Sequence, residues 1–283
     1  MIACLSTQAK VLSVVCVSLL LVACGESGPK PPQPGTPAFH WLMAKEAYKT
    51  GDFAKANDLL VRVSESGNEN TEQARPWALV MSLGLAKSYL ELSEKYDEGA
   101  KRNRTDPTPL RRATSEYKTK AAAAALQFAE IAHRHLDASK DKDVSFVFDL
   151  PQASMEDPVQ YKKITAGLVI QESERLGAEK EVVRREVVRN ACRALKAEKD
   201  IEKAKAAYQA GEAKVQGQAF VLMVGKGLYE VSEMFGPKKL DQPQRLKAIY
   251  TEALEALGMV KDSKEAKELI RKIGDSKKKY KLT

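Results

Sequence analysis

The stretch that decides the fold is FHWLMAKEAYKTGDFAKANDLLVRV, residues 39–63. Phe39, Met43, Ala44 and Ala47 recur at helical spacing and share one face. Phe53, Ala56, Leu60 and Val63 then repeat the pattern. Gly51-Asp52 separates the two runs. Glycine takes the left-handed backbone that ends a helix, and aspartate caps the next one. The stretch therefore reads as two helices closed by a tight turn.

Downstream, the helical period continues. A helix is expected from about Thr71 to Lys101, with Pro76 tolerated in its first turns, and another from Thr108-Pro109 to about Ser139. Ala121 to Ala125 permits close helix contact. Residues 140–157 break the pattern, because Val144, Phe146, Phe148 and Leu150 alternate like a strand until Pro151. No second strand is evident nearby, so the segment is expected to be ordered and laid across helices, or to pair with a second copy. Asp157-Pro158 opens a helix to about Leu176, with Gly177 as stop or kink, and a charged helix follows from Ala178 to about Ala210. Ala219 to Val224 is apolar on all sides and should form the central helix of the second half. Two more helices follow. One carries Leu246, Ile249, Tyr250, Ala253 and Leu257, and the last carries Ala266, Leu269, Ile270 and Ile273.

The first helix pair resembles a tetratricopeptide repeat, through Ala44, Ala47, Gly51, Asp52, Phe53, Ala56 and Leu60. The likeness covers about 30 residues, one unit. The family's closing proline is absent, with Asn68 near its place. A weaker echo at Ala207-Tyr208 and Gly211-Glu212 fails at Gln216. The expected class is all-α: antiparallel helix pairs, either stacked as a tetratricopeptide-like solenoid or as an irregular bundle. In that family the first helix of a unit lines the inner groove. The resemblance places Trp41, Lys45, Tyr48 and Lys49 on that side. Two aromatics and two lysines suit an extended, acidic or carboxylate-bearing partner. The alternative assigns Trp41 to the core and both lysines to a solvated face.

The N-terminus carries a different signal. Residues 1–23 hold one charge, Lys10, followed by an apolar run from Val11 to Val22 that is too short to span a bilayer. Leu21-Val22-Ala23-Cys24-Gly25 resembles the lipobox of bacterial lipoproteins. That resemblance implies lipidation of Cys24 and cleavage after Ala23. It also implies a membrane-anchored envelope protein, by the family's sorting rule outer-membrane and facing the periplasm. Residues 25–37 hold five prolines and three glycines and read as a tether. The domain reading is a signal at 1–23, a lipidated tether at 24–37, a helical region at 38–139, an extended connector at 140–157 and a second helical region at 158–283.

The whole chain has a net charge of +8. Its excess lies in residues 140–283, which hold 29 basic and 23 acidic side chains against 15 and 14 in residues 38–139. Lys277, Lys278, Lys279 and Lys281 form a basic tail that either meets anionic lipid or stays solvated. An exported chain has little access to nucleic acid, so none is expected as a partner. Cys4 and Cys16 leave with the signal. Cys192 then sits alone on an apolar helical face, where it reads as a small buried hydrophobe.

No cofactor motif is read: there is no phosphate loop and no Gly-x-Ser-x-Gly elbow. Glu130-x-x-His133 has di-iron spacing, but His40 and His135 are the only other histidines and no second motif exists. Glu130 and His133 are instead expected to pair on the surface, and no metal site is assigned. Carboxylates alternate with lysines, as in Glu198-Lys199-Asp200, which marks a solvated face. The leading functional reading is a lipid-anchored binding or scaffold protein with an envelope protein partner. The alternative is a helical cell-wall hydrolase whose paired carboxylates are assembled by folding.

Overall fold

The computed structural model describes residues 32–197, 200–209 and 213–282. Cys24, the signal segment, Gly211-Glu212 and Glu198-Lys199 lie outside them. Among the described residues the chain is mostly helical, with ten α-helices and one two-stranded hairpin. None of these helices is long and apolar enough to cross a membrane.

Helix α1 (Pro37–Lys49) starts on Thr36, whose hydroxyl accepts from the Phe39 amide at 3.3 Å, with Pro37 in its first turn. It ends at Gly51, at φ +75°. Asp52 then accepts from the Lys55 amide at 3.2 Å and opens α2 (Phe53–Glu65). Ala44, Ala56, Leu60 and Val63 are fully buried between the helices and their neighbours, as their spacing requires.

Two long helices follow, α3 (Thr71–Arg102) and α4 (Thr108–Ser139), packed along each other. A buried polar relay ties α2 to both. Ser82 donates to Asn57 at 2.9 Å, and the Asn57 amide donates to Gln127 at 2.8 Å.

The connector contains β1 (Val144–Phe146). Its partner is β2 (Ala213–Val215) from the same chain, antiparallel, with Val144 opposite Val215 and Phe146 opposite Ala213. This corrects the expectation of a lone extended segment or one paired with a second copy. The missed strand is only three residues long and lies where a helix was expected to end, so no alternation announces it. Gly217 allows the approach: a Cβ there would stand 2.0 Å from the Ser139 carbonyl oxygen and 2.5 Å from that of Lys142. Val144, Phe146, Phe148 and Leu150 are all buried.

The next helices also depart from expectation. Helix α5 covers only Gln160–Thr165 and is closed by Gly167 at φ +87°. Helix α6 (Glu172–Ala194) begins with a capping box, in which Gln171 and Glu174 satisfy each other's backbone amides. Gly177 therefore lies inside a helix and stops nothing. The charged stretch beyond α6 is broken at Leu195-Lys196, with Lys196 at φ 53°, and resumes as α7 (Ile201–Gln209).

Helix α8 (Gly217–Ser232) is the central helix expected from its apolarity. Gly225 faces Leu257 and Ala256, while Gly227 faces Leu83 and Phe128. A 3-10 turn (Glu233–Phe235), α9 (Pro243–Met259) and α10 (Lys264–Lys279) complete the chain. Helix lengths run from 6 to 32 residues, so the helices do not form a regular array of one unit. One continuous apolar core joins α1 to α10, across the boundaries drawn at 140 and 157.

Candidate partner-binding groove

The largest aromatic cluster is built around Trp77 of α3. Its ring lies 5.2 Å from Tyr48, 5.4 Å from Phe146, 5.5 Å from Phe148 and 5.7 Å from Tyr208. Phe148 is the outermost of these rings along the connector. Outside it lies a groove of about 480 Å³ between α1, residues 147–152 and α6.

Three of the four expected residues line this groove: Lys45, Tyr48 and Lys49. Trp41 stands behind it, half-buried, stacked on Phe148 at 5.4 Å with Lys45 Nζ 5.8 Å from its ring. Tyr48 plays a different part from the one its register implied. Its ring is buried, and its hydroxyl donates to the Asp149 carbonyl at 2.7 Å. Burial first, then Tyr208 and Asp149, pushes the phenol well above its ordinary pKa, so it stays a neutral donor pinning the connector.

The fourth wall was not expected. Arg184 of α6 reaches across to Gly51, where a Cβ would stand 2.5 Å from its guanidinium. Gly51 is required by its positive φ, and its bare Cα leaves the arginine tip room to lie against it. Among the described residues neither Arg184 nor Lys45 is in an ion pair, while Lys49 pairs with Glu46 at 3.3 Å in the open. Asp149 is the one carboxylate in the lining, against three cations. A second cleft of about 610 Å³ adjoins the groove and shares Gln152 and Arg184 with it. The alternation at 144–150 flagged the connector, but nothing in the sequence singled out Arg184 from a helix dense in arginine and glutamate.

Two of the carboxylates of another cleft, beside Tyr96, are committed to Arg175. Its guanidinium sits 3.1 Å from Glu116 and 2.7 Å from Glu172. Burial raises Glu116, but hydrogen bonds from Lys120 and Arg175 outweigh it and hold the carboxyl below its ordinary range. The Arg175 hydrogen bond does the same for Glu172. Neither keeps a proton near neutral pH, as a general acid must.

The expected Glu130–His133 pair does not form. Glu130 accepts from Arg134, one turn along the same helix, and His133 turns to Glu252 of α9, with Nδ1 2.9 Å from its carboxylate. A long side chain one turn along the helix and a carboxylate on a neighbouring helix outcompete the i, i+3 contact. Cys192 is buried, as its apolar face implies.

Compared with protein-family models, curated proteins and solved structures, the chain finds no match.

Proposed function

We propose that this protein is a binding or scaffold protein, anchored to a bacterial membrane by lipid on Cys24, that captures an extended, carboxylate-bearing segment of an envelope partner. The observation that carries this reading is the groove wall itself. Lys45 and Arg184, both outside any ion pair among the described residues, line it together with the aromatic side chains of Phe148 and Tyr48. Ion-pair-ready cations beside aromatic area provide affinity and steering for an acidic chain. The outer-membrane, periplasm-facing placement rests on the Leu21–Cys24 lipobox and the proline-rich tether. The hydrolase alternative draws no support from Glu116 and Glu172, because both are tied up by Arg175.

The test uses two substitutions. Lys45→Glu with Arg184→Glu should weaken binding of a labelled Glu/Ser peptide by about tenfold or more, with helical signal and melting temperature unchanged. The same change should cut crosslinking from a photoreactive residue at position 49 in intact membranes. Unaltered peptide binding and crosslinking would remove the groove from the proposal. Separately, Cys24→Ala should abolish lipid labelling. A mature chain that begins unmodified at another residue would remove the anchor.

A further inference from the structure

The turn of His133 toward α9 creates a donor set that no motif in the sequence announces. His133 projects from α4, and Glu252 and Glu255 project from one turn of α9. One ligand atom from each, an imidazole nitrogen and two carboxylate oxygens, lies within 4.8 Å of the other two. Among the described residues the charge of this group is uncompensated. Glu255 is in no ion pair, Glu252 contacts only His133, and the adjacent Arg134 is drawn away to Glu65 and Glu130. Both helices are held from beneath, with Ala132 on α4 and Ala253 and Ala256 on α9 fully buried. The three side chains therefore stand on a rigid two-helix platform, and His133 and Glu255 are open to solvent.

We infer that His133, Glu252 and Glu255 form a zinc site that clamps α4 to α9. The chemistry of the donors favours zinc over calcium and magnesium. Zinc takes imidazole and carboxylate at about 2.0–2.2 Å and is content with three protein ligands and a water. Calcium and magnesium prefer six or more oxygens and gain little from a histidine. A dication set among these donors neutralises the paired negative charge of Glu252 and Glu255. Tetrahedral coordination at those bond lengths requires the three atoms, which lie within 4.8 Å of one another, to draw closer together. Because the ligands come from two helices, binding to the folded chain alone raises its stability by mass action.

Isothermal titration of the untagged full chain with zinc chloride tests this. One ion per chain is expected, together with a rise in melting temperature that magnesium and calcium do not reproduce. His133→Ala should weaken zinc binding by about 100-fold, as should Glu252→Gln with Glu255→Gln. These positions lie at the surface, and circular dichroism verifies that each variant is folded. His40→Ala and Cys192→Ser should bind zinc as the parent does. Absence of saturable binding overturns the assignment, as does undiminished binding by folded His133→Ala. Loss of binding in Cys192→Ser also overturns it, because that places the metal elsewhere.

Discussion

The two halves of α3 are buried in different kinds of interior. Around Trp77, in the N-terminal half, four aromatic rings meet within 6 Å and no ion pair among the described residues enters. Around Glu91 and Tyr96, in the C-terminal half, the interior is built from charge. Arg185, 1 % exposed, donates to the Glu91 carboxylate at 2.6 Å and to Asp157 at 2.8 Å. Tyr117 stacks on Tyr96 at 5.5 Å while its hydroxyl donates to Glu179 at 3.0 Å, and Lys120 and Arg175 lie over its ring. Burial pushes the Tyr96 phenol up to about 12, so the rings there remain neutral among the charges. One half is held by area removed from water. The other is held by the high cost of separating charges that have already been desolvated.

The aromatic half should show the larger single-residue losses. Phe146→Ala removes a fully buried ring that touches Trp77, Tyr208 and Phe220, and about 4 kcal/mol of unfolding free energy should go with it. Trp77→Phe should do far less, below about 1.5 kcal/mol. It keeps a ring in place and discards an indole N–H that is buried without a hydrogen-bond partner among the described residues. Urea titration of both variants separates the cases. Equal losses would show that the bulk of the indole contributes as much as the Phe146 ring.

In the ionic half the response should depend on what remains behind. Arg185→Met leaves Glu91 facing an apolar side chain. The expected loss is about 3 kcal/mol, at the low end for a buried pair because Glu91 is a quarter exposed. Adding Glu91→Gln removes the orphaned charge and should restore part of that loss. A double variant no more stable than the single one would mean that Arg185 acts through packing and not through charge.

The same contrast explains what was legible in the sequence. Apolar spacing marks a helix face, so the faces of α1, α2, α8, α9 and α10 could be read from Ala44 to Ile273. The alternation of Val144, Phe146, Phe148 and Leu150 likewise marked a buried connector. Period counting is blind to charged residues that go inside. Arg184 and Arg185 are neighbours in one charged run, yet one lines the groove and the other is wholly buried. Which of them faces inward depends on Glu91, 94 positions away. The hairpin was missed for a related reason: Ala213–Val215 is a strand only because Phe146 and Val144 lie beside it. In the groove, the cations on α1 were readable from local register. Arg184 and the connector backbone arrive from elsewhere in the chain.

His135 offers the smallest and most selective test, because it is a polar ring buried without a counter-charge and so belongs to neither interior. It is 7 % exposed on α4, and its Nε2 atom has no hydrogen-bond partner among the described residues. Burial lowers its pKa to about 4. Arg75 and Arg134 add to the shift, while Glu72 and the backbone beside Arg134 oppose it. An unfolded histidine titrates near 6.5. Between those values the unfolded chain binds a proton that the folded chain refuses, so stability is complete above about pH 6.5 and falls as the pH drops toward 4. At about 1.4 kcal/mol per unit the loss is at most about 3.5 kcal/mol. His135→Leu removes the titration, and it should leave stability at pH 7 equal or slightly raised, since an unpaired nitrogen goes with the ring. Melting curves of parent and variant should therefore diverge below pH 6.5, the parent losing more. Parallel curves from pH 7 to pH 4 would show that the ring gains a partner or solvent on protonation, and that it is not sealed within the bundle.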